Sequence, residues 1–287
     1  MRVIIPENLK GNALFSYLKS NKKSIIAKKC SSQIKSDDGD NEPFTYGCLE
    51  IRANDKKRIG AKVEKSIAIK EDLSDDELGV DAIANMAGWC DSYMDVLIPD
   101  CWNRTISEKG ASNKQLIYHL KNHTYSTDAI VGGDVKMSSK YIDLNLFNIE
   151  SDLKQGQALI GSSIVRKKYD SKCFHLYSDD EVKQHSIGLR YLKIYLCVNS
   201  DDDEYKTEKE NWEKYHKYVI NKDKVDGRGY FFAVTEIKLI EYSAVLYGAN
   251  ELTTVQGTSK SDPSADIHEE PSADILLQSK REYLLKT

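Results

Sequence analysis

Two-residue alternation of apolar and polar side chains recurs through the middle and end of this chain, and it constrains the fold more than any other feature. Leu189 to Val198 is a strongly strand-like run, and Tyr141 to Phe147 alternates as a half-buried strand should. Thr235 to Val245 is a strand pattern that carries two carboxylates, Glu236 and Glu241. Residues 44–70 are also strand-like, with Thr45, Tyr46, Leu49, Ile51, Ile67 and Ile69. Helical patterns are scattered among these runs without a βαβ rhythm. Leu9, Leu14, Leu18, Ile25 and Ile26 make one apolar stripe over residues 7–29. Trp102 to Gly110 fits a short helix closed by its glycine, and Ser151 to Ile160 fits another. Many short strands with scattered helices fit an α+β class that includes mostly antiparallel, closed β-barrels wrapped by helices.

The length of 287 residues, 40% of them hydrophobic, suffices for one large domain or two small ones. The chain divides into an N-terminal helix and linker (1–43), a main domain (44–255) and a polar tail (256–287). The linker from Ser31 to Pro43 is acidic, and the tail repeats Pro-Ser-Ala-Asp-Ile at 263 and 271. Two polar copies make no solenoid, so the tail reads as disordered. Ser74 to Glu77 and Ser178 to Glu181 both have the spacing of a capping box. Residues 200–226 form a charged helical excursion between two core strands, suited to covering one end of the barrel. Its Trp212, Tyr215 and Tyr218 also suggest a homodimer contact.

A formal charge of -4, from 41 basic and 45 acidic residues, argues against a dedicated nucleic-acid binder. No run of ~18 uninterrupted apolar residues exists, so no membrane span is expected. The N-terminus lacks the apolar core of a signal peptide. Six scattered cysteines without a Cys-x-x-Cys pair read as free thiols. Cys173 and His175 fall short of a metal site, and no metal or cofactor is expected. Asp91 and Asp95 fit an Asx-type turn better than a cation loop.

Three segments carry acyl-transfer chemistry. Leu116 to His123 is an apolar stretch closed by a histidine. Gln184 to Arg190 places Ser186 and Gly188 at the head of a strand. Thr235 to Val245 supplies Glu236 and Glu241. A serine hydroxyl needs an adjacent base, and a histidine is the natural acceptor near neutrality. A carboxylate bonded to the distal imidazole nitrogen fixes the tautomer. The expected set is therefore His123 as base, Ser186 as nucleophile and Glu241 as acid, with Glu236 as the alternative acid. Five residues separate the two glutamates, so on a regular strand only one reaches the site. On a strand His119 would share a face with His123, whereas His185 should point away from the serine beside it. The bland reading of Ser186 is a strand-start serine beside a bulge glycine, and of each histidine a surface or satisfied core residue.

Taken in order, these segments resemble the prohead (capsid-maturation) proteases of tailed bacteriophages, relatives of the herpesvirus assemblins. The likeness runs from Ala82 to Gly88, through Asp91 to Pro99, Leu116 to His123 and Tyr141 to Leu146. It continues through the His185-Ser186-Ile187-Gly188 segment to Thr235–Val245 and Gly248–Asn250, covering roughly residues 80–255. Asp100-Cys101-Trp102 stands where the family usually has Gly-Ala-Phe, and the 200–226 excursion lengthens the gap between serine and acid. Assemblins use a second histidine where this strand offers only glutamates. The resemblance implies an assemblin-like fold, a mostly antiparallel, closed β-barrel wrapped by helices, and a serine endopeptidase working inside the assembling procapsid, within a host cytoplasm. Its substrates would be scaffold and major capsid protein segments and its own tail. Oxyanion donors would be backbone amides near Gly188 or in the 248–250 loop. Two other readings are a protease-fold scaffold or head-assembly protein without activity, and another hydrolase on an α/β scaffold.

Overall fold

A computed structural model describes residues 5–6, 8–31, 73–111 and 116–259. Helix α1 (Gly11–Cys30) follows the apolar stripe read from the sequence, burying Leu14, Phe15, Leu18 and Ile25. It packs on the body of this chain, against Leu196–Val198, Trp212 and Phe231–Ala233. Two ion pairs fasten it. Lys22 Nζ lies 2.6 Å from Glu208, and Lys29 Nζ lies 2.6 Å from Asp95 in a nearly water-free contact.

The strands are β1 (Glu77–Met86), β2 (Asp95–Leu97), β3 (Tyr118–Lys121), β4 (Ile130–Asp143), β5 (Gln155–Arg166), β6 (Gln184–Val198), β7 (Tyr230–Val245) and β8 (Val255–Ser259). The other helices are α2 (Asn103–Lys109), α3 (Ser171–Ser178), α4 (Lys206–Tyr215) and α5 (Lys222–Arg228). All eight strands join one sheet. β7 is its hub. β6 runs antiparallel along the whole of β7, so β2 and β3, both parallel to β7, share its other edge. From β3 the sheet continues through β4, β5, β1 and β8 by antiparallel pairs.

The molecule is α+β, with five α-helices among the described residues, but the expected closed barrel is not formed. The sheet is mixed and open. β6 and β8 are its ends and do not pair. A local reason lies in β6, where Arg190, Leu192, Lys193 and Tyr195 are exposed and three register shifts break the ladder. Charges and bulges of this kind blunt an edge against further pairing. Directly after this stretch of β6, α4 takes up a backbone carbonyl: Asn211 Nδ2 donates to Leu196 O at 3.1 Å. The helical excursion thus covers a sheet end, as expected, but it is the end of an open sheet. Trp212 and Tyr215 are buried within this chain, Trp212 against Phe231 with ring centroids 5.2 Å apart, so neither forms an outward contact surface.

Three local expectations are also corrected. Ser151 to Ile160 is not a helix; it leads into β5, which is hydrogen-bonded on both edges to β1 and β4. Non-local pairing there overrides local helical preference. The Tyr141 to Phe147 run leaves the sheet at Asp143, whose carboxylate accepts from Asn145 N at 2.9 Å and starts a 3-10 turn over Leu144–Phe147. Ser178 closes α3 instead of starting an element, donating to Phe174 O at 3.0 Å. The Ser74–Glu77 contact forms, at 3.2 Å, but it leads into β1. The 44–70 strand pattern, most of the linker and the tail after 259 lie outside the described residues.

Candidate active site

The site is built on one face of β7. Parallel pairing sets Tyr118 beside Glu241 and Leu120 beside Ser243. β3 ends at Lys121, and the next two residues, Asn122 and His123, take positive φ of 54° and 53°. Asn122 N–H donates to Ala244 O at 2.9 Å, which pins this turn to β7. The left-handed pair folds His123 back over the Glu241 side of the strand.

On the opposite edge of β7, Ser186 of β6 is register partner to Ser243, and Gly188 to Glu241. Side chains two apart on a strand share a face, and directly paired residues do too. Ser186, Gly188, Glu241 and Ser243 therefore line one surface, with His123 over it. His123 Nδ1 lies 2.7 Å from Glu241 Oε1. Glu241 is 1% exposed and His123 37% exposed, so the acid is buried and the imidazole reaches solvent. Glu241 Oε2 accepts the Ser243 hydroxyl at 2.6 Å, and Ser243 Oγ accepts the His123 backbone N–H at 3.1 Å. Gly188 leaves the space that the carboxylate fills: a Cβ there would stand 2.1 Å from Glu241 Oε1 and 2.8 Å from the Tyr125 hydroxyl. Burial, helped by the Glu241 charge, pushes the Tyr125 phenol up to about 12.

Of the two candidate acids, Glu241 joins the histidine. Glu236 instead pairs with Arg104 at 3.2 Å and with Lys193, and hydrogen bonding to Lys193 holds its carboxyl below the usual range. Ser186 is half-buried on the proper face, but no hydrogen bond joins it to His123. Such contacts are often long without substrate. The expected oxyanion donor at Gly248 is already engaged, its N–H donating to Gln184 Oε1 at 2.8 Å.

His119 does not accompany His123. The strand stops between them, and His119 lies on the other face of the sheet, fully buried and stacked on Tyr242 at 4.3 Å. Its Nδ1 meets Ser163 Oγ at 2.8 Å and its Nε2 meets Tyr177 O–H at 2.9 Å. The same phenol reaches His185 Nε2 at 2.6 Å, so His185 does point away from Ser186. Desolvation holds His119 well below its ordinary pKa and takes His185 to about 3. This Ser–His contact lacks an acid and solvent access, so it is a buried core network, in which His185 Nδ1 has no hydrogen-bond partner among the described residues. Sequence reasoning missed Ser243 and Tyr125. Ser243 was readable, because its two-residue spacing from Glu241 places it on the same face.

Asp91 and Asp95 form the expected turn, with Asp91 Oδ1 accepting from Tyr93 N at 2.8 Å and Asp95 N at 3.0 Å. Burial and the neighbouring Asp95 charge push Asp91 up to about 7. No cluster of three or more metal-ligating side chains occurs among the described residues, and no described helix is long and apolar enough to cross a membrane. Cys30, Cys90, Cys101, Cys173 and Cys197 are free thiols.

Comparison with protein families, characterised proteins and solved structures gives no match to this chain. The chemistry is therefore read from the site itself. A buried carboxylate holding the Nδ1 side of a solvent-reaching imidazole leaves Nε2 as the nitrogen that exchanges protons.

Proposed function

We propose that this protein is a serine endopeptidase of the prohead-maturation kind, cleaving scaffold and capsid-protein segments during head assembly. One observation carries the reading: the His123–Glu241 pair lies over the sheet face on which Ser186 sits. The ordered sequence segments from Ala82 to Asn250 supply the substrate class. The open sheet lends no support, so the proposal rests on the site and not on the architecture.

In this reading Ser186 Oγ attacks the scissile carbonyl carbon while its proton passes to His123 Nε2. Glu241 keeps the Nδ1–H tautomer and stabilises the imidazolium. The imidazolium then protonates the leaving amine, giving an acyl-enzyme. Water, deprotonated by the same nitrogen, releases the acid and restores Ser186.

A second reading, an inactive protein retaining the arrangement, is favoured by the absent Ser186–His123 hydrogen bond. Intact-mass time courses of wild type, Ser186→Ala and Glu241→Gln, alone and with capsid and scaffold proteins, separate the two. Cleavage by wild type that Ser186→Ala abolishes supports the endopeptidase. Equal stability of every substrate in all three samples refutes it, and equal cleavage in all three refutes Ser186 as nucleophile.

A further inference from the structure

We infer that Ser243 is a positioning residue of this site, a fourth member that holds the acid and the base in register; the inference rests on the proposed endopeptidase reading. Ser243 is fully buried. An ionised carboxylate only accepts, so in the 2.6 Å contact the Ser243 hydroxyl must donate to Glu241 Oε2. Its lone pairs remain free, and one accepts the His123 N–H at 3.1 Å. The Ser243 side chain thus touches the backbone of the base and the carboxylate of the acid. Its backbone is also paired with Ser186. All three proposed triad members converge on this residue.

The consequence for Glu241 is geometric. Its two oxygens are held by different groups, Oε1 by His123 Nδ1 and Oε2 by Ser243, so rotation of the carboxylate breaks one bond or the other. Hydrogen bonds to an ionised group are short and directional. Ser243 itself is not a second nucleophile: it is shielded from solvent, and its proton faces a carboxylate instead of an imidazole nitrogen.

The test uses the full chain with 15N-labelled histidine. The tautomer of neutral His123 is read by NMR in wild type, Ser243→Ala, Ser243→Cys and Ser243→Thr. Serine reactivity is read in parallel as phosphonylation by a fluorophosphonate, with Ser186→Ala as the blank. Cysteine keeps the shape with a weak donor and guards against a packing defect, whereas threonine keeps the hydroxyl. The expected result is a dominant Nδ1–H tautomer in wild type and Ser243→Thr, lost in the Ala and Cys variants. Ser186 labelling should fall about 10- to 100-fold in those two, the loss of one charge-assisted bond. A tautomer unchanged in both Ala and Cys variants overturns the role of Ser243, whether or not Ser186 reacts. A tautomer that shifts while no sample is labelled upholds the positioning role and instead refutes the endopeptidase reading.

Discussion

Gly188→Ala should dismantle the acid–base pair through a single methyl group. Gly188 does not have a positive φ, so alanine is compatible with the backbone and only space is at issue. The new Cβ would stand 2.1 Å from Glu241 Oε1 and 2.9 Å from its Cδ. An ordinary carbon–oxygen contact is about 3.3 Å, so the carboxylate must retreat by about 1.2 Å. That shift carries the 2.7 Å bond to His123 beyond hydrogen-bonding range. A free glutamate would swing aside cheaply, but this one is buried and held at both oxygens. Overpacking costs about 1–3 kcal/mol and a lost charge-assisted bond about 1.5–3 kcal/mol. Relief of glycine backbone entropy returns about 0.5–1 kcal/mol. The expected net loss is about 2–5 kcal/mol in urea unfolding, with activity down about 100-fold. In a Glu241→Ala background the same substitution should cost far less, because only the tip of the exposed Tyr125 side chain, 2.8 Å from the new Cβ, still has to give way. Equal effects of Gly188→Ala in the two backgrounds would refute the steric argument.

Glu241→Gln should lower peptidase activity about 1,000- to 10,000-fold by losing the charge that orients His123. Glu236→Gln should leave activity and the unfolding midpoint essentially unchanged, since its partners Arg104 and Lys193 are mostly exposed. The two rate measurements side by side check the choice of acid. Lys29→Met should destabilise by about 3 kcal/mol in denaturant unfolding, because Asp95 would stay buried with, among the described residues, only the Tyr191 hydroxyl, 2.9 Å away, as side-chain donor. A change below about 0.5 kcal/mol would mean that α1 does not depend on that pair. His185, with its folded pKa taken down to about 3, contributes stability that is complete above the unfolded value of ~6.5 and is lost as pH falls toward 3. At pH 5 this amounts to about 2 kcal/mol. Asp81, raised to about 6 by burial, and Asp91, raised to about 7, act in the opposite sense, since acid relieves their buried charges. The histidine contribution is therefore read as a difference: the advantage of wild type over His185→Gln should shrink by about 2 kcal/mol between pH 7.5 and 5. An advantage independent of pH would show that His185 protonates as easily in the fold as outside it.

Much of the site was legible because it depends on strand parity. Ser186 and Gly188, like Glu241 and Ser243, are two apart, and the period of a strand puts each pair on one face whatever the sheet does. The same rule set His185 away from Ser186. It failed for His119 and His123, because a strand break at Lys121 and two left-handed residues intervene, and nothing in Asn122-His123 announces them. It also failed at Ser151–Ile160, where pairing on both edges decided for strand.

By itself the sequence determined where β6 and β7 run, that α1 has an apolar stripe to bury, and that a base, a serine and an acid occur in that order. These are local properties, written in the spacing of neighbouring residues. Tertiary structure alone decided that the sheet stays open, that Glu241 and not Glu236 meets His123, and that Ser243 ties acid to base. Each of those depends on register between segments more than 100 residues apart or on which strand edges find partners. No local period encodes such choices, because they are settled by the free energy of the whole packed sheet.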